Sequence, residues 1–243
     1  MDFFTSFDNA DEGCGCGYHN VQMMLSVVLH AEPALELFCG ATSSEGGGAA
    51  RVPSILTLQR WLEFAWVPGF DVAGAAQLDG IVGGKTWIGA TEAVRLLRHQ
   101  GLKARVVDVV WKGVSKLTNQ IGNALFEFAR RSGETRLPLF LQWRGHSVTV
   151  VGVEKCGTGS GALLALDPGS SLEYLSSREL RVTAPGMKRF SVSFKAKEYQ
   201  FVYPDTAALA SNEEREQGRW YTPHPSRCFG LQSRRTLNRR VYT

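Results

Sequence analysis

Residues 13–20 read G-C-G-C-G-Y-H-N and run straight into V-Q-M-M-L-S-V-V-L-H at 21–30. Val21, Met24, Leu25 and Val28 recur at three- and four-residue spacing, which predicts a helix from Gly17 to about Ala31 with one apolar face. Pro33 marks a boundary just beyond its end. Two cysteines set among glycines therefore stand at the head of a helix, with Cys16 at or near its first turn. Unpaired N–H groups and the macrodipole favour negative charge there, and so favour thiolate over thiol. A free thiol titrates at about 8.5, and such settings lower that to roughly 3.5–7.5. Gly15 and Gly17 remove side chains from around the sulfur, leaving room for a substrate backbone. Two other readings stay open at this point. Cys14 and Cys16 are half of a zinc site, although Cys39, Cys156 and Cys228 supply no second close pair; or they are inert buried thiols.

Working outward, residues 41–50 are rich in Gly, Ser and Ala and read as a flexible loop. A second helix starts near Pro53 and Ser54, with Ile55, Leu58, Leu62 and Trp66 along one side. Residues 67–86 hold five Gly and one Pro, a long irregular connection of the kind that is often functional. A third helix fits Thr91 to Gln100, with Gly101 in the helix-ending position. Residues 103–110 are β-branched and read as a strand, and Val114, Leu117, Ile121, Leu125 and Phe128 suggest another amphipathic helix. Strand-like runs follow at 138–143, 146–153 and 162–167, and the turn-rich residues 155–161 predict that the last two pair antiparallel. Residues 198–203 form a further strand, while 187–194 suit a strand or a helix. Helices gathered first and strands later predict an α+β domain, N-terminal helices packed on an antiparallel sheet.

Composition bounds the rest. The chain has 243 residues, 44% of them hydrophobic and 21% charged, ordinary values that exclude a wholly disordered chain. A net charge of +4 is too small for nucleic-acid binding across the whole surface. It is also uneven: the last residues carry six Arg (219, 227, 234, 235, 239 and 240) and no acid. The expected organisation is a domain over 1–217 and a basic tail over 218–243, solvated or paired with an acidic partner. Five scattered cysteines fit a reducing compartment better than a disulfide framework. The opening residues are polar and acidic, unlike a secretory signal, and no apolar run reaches the roughly 18 residues of a membrane span. These features predict a soluble protein of the cytoplasm, the nucleus or both, with no membrane partner.

A nucleophilic cysteine needs a base. His146 opens one strand after Gly145, and Asp167 closes the next, 21 residues on. If 146–153 and 162–167 pair across a hairpin, the two become neighbours, and Asp167 can orient the imidazole and stabilise its cation. Gln142, four residues before His146, is either an oxyanion donor alongside the Cys16 backbone N–H or an ordinary strand glutamine.

These motifs together resemble the papain-like proteases specific for the ubiquitin-fold modifier, and within them the zinc-finger-containing ubiquitin peptidase branch. The resemblance runs from Asp11 to about Gln217. It rests on G-C-G-Y-H-N-V-Q-M (15–23), V-P-S-I with E-F-A-W (52–66), P-G-F-D (68–71), W-I-G-A-T-E (87–92), L-F-L-Q-W-R-G-H-S-V-T-V-V-G-V-E (139–154), L-A-L-D-P-G (164–169) and K-E-Y-Q (197–200). It implies a papain-like fold, with Cys16 as nucleophile, His146 as general base and Asp167 as orienting acid. Trp87 and Glu92 fall in the block that in the family receives the ubiquitin C-terminal tail, and Asp71 in another substrate-facing block. A carboxylate there suits the basic end of ubiquitin, and a tryptophan can cover a channel that only Gly-Gly threads. Read without the family, Trp87 is core packing and Glu92 belongs to the first turn of a helix. The implied activity is a deubiquitinating cysteine protease acting on ubiquitin and polyubiquitin chains, with no metal or organic cofactor. Alternatives are a protease for the modifier itself, a non-catalytic ubiquitin-binding module, and a zinc-binding adaptor. Three features depart from the family: His19 stands where relatives commonly carry Arg, Trp143 and Arg144 replace a His-Gln pair, and the sequence reaches only 15 residues ahead of Cys16. The expectation is a peptidase domain without the zinc fingers and helical ubiquitin-binding arms of larger relatives.

Overall fold

A computed structural model describes residues 2–5, 13–31, 52–66, 75–76, 78, 80–110, 137–156, 160–170, 186–190 and 194–209. The expected helix at 114–128, the loop at 41–50, Asp71 and the tail at 218–243 lie outside them. Among the described residues, three helices precede the sheet: α1 (Cys16–Ala31), α2 (Ile55–Trp66) and α3 (Ala90–His99). Six strands follow: β1 (Leu102–Val110), β2 (Leu139–Trp143), β3 (His146–Cys156), β4 (Ser160–Leu166), β5 (Lys188–Phe190) and β6 (Glu198–Leu209). They form one sheet in the order β1-β6-β2-β3-β4-β5, each neighbouring pair antiparallel. Among the described residues, no helix is long and apolar enough to cross a membrane.

Local chemistry sets each helix start. Gly15 accepts the first helical bond of α1, from His19 N–H, which makes Cys16 the first residue inside the helix. Ser54 caps α2: its carbonyl takes Leu58 N–H at 2.9 Å and its hydroxyl oxygen takes Thr57 N–H at 3.2 Å. At α3 the Glu92 carboxylate reaches back to Gly89 N–H at 2.7 Å.

The sheet buries both faces, as its period-two alternation dictates. On the helix side, Val21, Met24, Leu25 and Val28 of α1 meet Leu58 and Leu62 of α2, Val94 and Leu97 of α3, and Ala104, Val106, Phe140 and Val202 of the strands. The intervening residues, among them Val107, Leu139, Leu141, Val148, Val150, Leu163 and Phe201, build a second cluster on the other side with Phe194 and Tyr199. Burying a large aliphatic side chain stabilises by about 1.5–3 kcal/mol, so α1 is held to the sheet by several such anchors.

Three strands run beyond their expected ends. β3 and β4 stay paired through Glu154, Lys155 and Cys156, opposite Ala162, Gly161 and Ser160, where the sequence reads as turn. β6 continues past Pro204 to Leu209. The ambiguous 187–194 stretch contributes the three-residue strand β5 at the sheet edge.

Candidate active site

Register brings His146 and Asp167 together. The β2–β3 connection is a two-residue turn closed by the pair Trp143 and His146, and its Gly145 has φ +81°, a left-handed conformation that favours glycine. On the far side of β3, Leu166 faces Thr149, so Asp167 lands beside the beginning of β3. His146 Nε2 then meets Asp167 Oδ1 at 2.8 Å. With Nε2 engaged, Nδ1 is left for the cysteine, and His146 hydrogen-bonds Cys16. The His146 ring also meets Trp143 edge-on, centroids 5.2 Å apart.

Cys16 is buried at the N-terminus of α1, and its sulfur takes a hydrogen bond from Trp87 Nε1–H at 3.1 Å. Ser147 also hydrogen-bonds it. Burial pushes the thiol up; hydrogen bonds from His146, Ser147 and Trp87, with the His146 charge, overcome it and leave Cys16 below its ordinary range. His146 is pushed up to about 9 by its hydrogen bonds to Asp167 and then Cys16, against burial, with the charges of both partners adding. For Asp167 burial acts upward, but His146, Gly169 N–H and Arg189 hold the carboxyl below the usual range. The three shifts all favour the charged forms, a thiolate, an imidazolium and a carboxylate in hydrogen-bonded order.

Asp167 uses both oxygens: Oδ1 also accepts Gly169 N–H at 2.9 Å, and Oδ2 faces Arg189 Nη2 at 3.2 Å. Thr5 ties the turn after Asp167 to the N-terminal segment through the carbonyls of Pro168 and Ser170, at 2.8 and 2.7 Å.

The segment carrying Trp87 is held from α2. Glu63 Oε1 accepts the N–H groups of Ile81 and Val82, and Gln59 bonds Gly83 N–H and the Gly84 carbonyl. The segment then passes against α1 so closely that a Cβ at Gly17 would lie 2.4 Å from the Ile88 carbonyl oxygen. This corrects the expectation that Gly17 leaves room for substrate: its space is filled by the chain's own backbone.

Gln142 Oε1 accepts Ala90 N–H at 2.5 Å, which pins the amide and leaves its NH2 group as the donor. As the first residue of α1, Cys16 has a backbone N–H with no partner inside the helix. Glu92 lies in the first turn of α3, the place expected of it without the family, and there its carboxylate accepts Gly89 N–H. His19, the family departure, is buried; its Nδ1 meets Gln22 Oε1 at 2.7 Å and Phe4 stacks on its ring. Among the described residues, no three His, Cys, Asp or Glu side chains cluster so as to hold a metal ion. The sequence reading missed Ser147, Arg189 and the bond from Trp87 to the sulfur; only the serine beside His146 left any local trace.

The family model of peptidase family C78 matches residues 1–202. The chain belongs to that family. Among curated relatives it is 34% identical over 232 residues to zinc finger-containing ubiquitin peptidase 1 of Bos taurus, an alignment covering 88% of this chain and 37% of that protein. It is 33% identical to the Homo sapiens protein of the same name, covering 79% of this chain and 34% of that one. It is 31% identical to ubiquitin carboxyl-terminal hydrolase mug105 of Schizosaccharomyces pombe, covering 69% and 65%. The chain thus spans little more than a third of the zinc finger-containing relatives. Among solved structures, UfSP from C. elegans superposes with a TM-score of 0.54 at 22% identity, over 86% of this chain and 33% of that one. That likeness and the helices-on-sheet architecture establish the papain-like α+β fold, and the family to which the chain belongs is a peptidase family.

Proposed function

We propose that this chain is a deubiquitinating peptidase that hydrolyses the isopeptide bond after the C-terminal Gly-Gly of ubiquitin, including bonds within polyubiquitin chains. The observation that carries the chemistry is the hydrogen-bonded order Cys16, His146, Asp167, with the sulfur at a helix head. The Cys16 thiolate attacks the carbonyl carbon of the terminal glycine. Its oxygen takes up the negative charge, facing the Cys16 backbone N–H and the Gln142 NH2 group. The intermediate collapses, the carbon–nitrogen bond breaks, and the His146 imidazolium gives its proton to the departing lysine amine. Now neutral, His146 takes a proton from water as it attacks the thioester, and ubiquitin leaves with a free carboxylate. Asp167 holds the imidazole in one tautomer and stabilises its cation throughout.

Substrate choice is supported by the relatives, which are named as ubiquitin peptidases and a ubiquitin hydrolase. Trp87 covers the entry for Gly-Gly, and Glu92 and Asp71 pair with the basic tail of ubiquitin. Residues 218–243 lie outside the peptidase domain and meet an acidic partner in the cytoplasm or nucleus. Hydrolysis of C-terminal aminocoumarin derivatives of ubiquitin and of the ubiquitin-fold modifier tests the choice. The ubiquitin derivative is expected to react at least about 100-fold faster in kcat/KM, a difference of roughly 2.7 kcal/mol. Preference for the modifier overturns the substrate; cleavage of neither makes the chain a binder.

A further inference from the structure

Beneath α1, three side chains with no solvent exposure join the helix to β3: Asn20, Ser147 and Thr149. Asn20 lies one turn along α1 from Cys16, and Ser147 follows His146. Thr149 Oγ1–H donates to Asn20 Oδ1 at 2.7 Å, and Asn20 Nδ2–H donates to Ser147 Oγ at 2.9 Å. Ser147 in turn hydrogen-bonds the Cys16 sulfur.

Each link fixes the direction of the next. A hydroxyl can donate or accept, so the direction is set from the sulfur end, and the amide oxygen accordingly faces Thr149 while the NH2 group faces Ser147. An NH2 group only donates, so Ser147 Oγ accepts from it and turns its own proton to its remaining partner, the sulfur. A thiolate only accepts, which completes a run of bonds polarised toward one charge. With the amide reversed, its oxygen would draw the Ser147 proton away from Cys16. Apolar side chains would bury in this layer at lower cost, as they do elsewhere on α1, so three buried polar groups call for a purpose.

We propose that Ser147 is a catalytic hydrogen-bond donor to the nucleophile, and that Asn20 and Thr149 are positioning residues that aim its hydroxyl at the sulfur. This deepens the peptidase reading, since it rests on Cys16 being the nucleophile, but it does not depend on the substrate. It makes α1 and β3 a single unit at the site: the bonds that fix the distance between Cys16 and His146 also orient the proton that faces the sulfur.

The test is the rate at which iodoacetamide labels Cys16 across a pH series, with Cys14 and Cys16 resolved by fragment mass spectrometry. The other charged groups facing the sulfur among the described residues are His146 on β3, with Asp167 and Arg189 behind it, and none is altered. In Ser147→Ala, labelling at mildly acidic pH is expected to fall about tenfold and to recover at alkaline pH. Thr149→Val keeps the shape of the side chain and never touches the sulfur, yet is expected to slow labelling about threefold in the same pH range. It carries the test if Ser147→Ala fails to fold. Profiles that superpose on the unmodified protein in a folded variant overturn the proposal and leave the trio as packing. Wild-type Cys16 labelling no faster than an ordinary thiol at acidic pH overturns the nucleophile reading itself.

Discussion

Cys16 is buried, and burial alone would keep its proton on. Three donors, one of them the His146 cation, reverse that, and the same cation is raised by the thiolate it faces. The two groups therefore titrate as a pair. kcat/KM is expected to trace a bell against pH, with an alkaline limb near the His146 value of about 9. A limb near the ordinary histidine value of about 6.5 would contradict the ion pair. The pair also contributes to folding. The His146 contribution is complete below the unfolded value of about 6.5 and disappears as the pH rises through about 9, the folded value. Trp87→Phe keeps an aromatic ring but removes the N–H that reaches the sulfur. It is expected to lower kcat/KM about tenfold at mildly acidic pH, with less effect toward the alkaline limb. At this scale sequence alone was a good guide to His146 and Asp167, because a hairpin's register converts spacing into contact. It was a poor guide to Trp87, 71 residues from Cys16, and to Asn20, 127 residues from Ser147, since contacts between such distant residues have no period to read.

Among the elements, α1 and the segment ending at Gly89 decide the site. Helical periodicity located α1, α2 and α3 within a residue or two, because each buries one apolar face and has a local start signal. Strand ends were less visible. β3 and β4 remain paired at Lys155 with Gly161 and at Cys156 with Ser160, where backbone pairing continues without any apolar alternation. In sequence Gly17 reads as open space beside the sulfur, whereas its contact with Ile88 is a tertiary approach that no local pattern announces. Gly17→Ala is expected to cost about 1–3 kcal/mol, read as a lower Tm, and to reduce activity by moving Trp87 off the sulfur. Glu63→Ala removes the acceptor shared by Ile81 and Val82 and is expected to cost about 1–3 kcal/mol. Limited proteolysis within 80–86 should accelerate in that variant while sites in the β-strands stay protected. Unchanged cleavage there would mean that α2 does not hold the segment.

For the whole molecule, an α+β order of helices before strands and a set of motifs in a fixed sequence were enough to reach the family, whose match ends at residue 202. The division between a peptidase domain over 1–217 and a tail over 218–243 carries its own prediction. Removing 218–243 is expected to leave kcat/KM on a small ubiquitin derivative within about twofold, because the groups that act on the bond all lie earlier in the chain. A large loss would place the basic residues in substrate binding. Ubiquitin-directed cleavage at Cys16 itself is tested most directly by mixing the full chain with ubiquitin carrying an electrophile in place of its terminal carboxylate and weighing the intact product. One ubiquitin per chain, attached at Cys16 and lost in Cys16→Ala, is the expected result. No adduct, or an adduct that persists without the Cys16 sulfur, would contradict it.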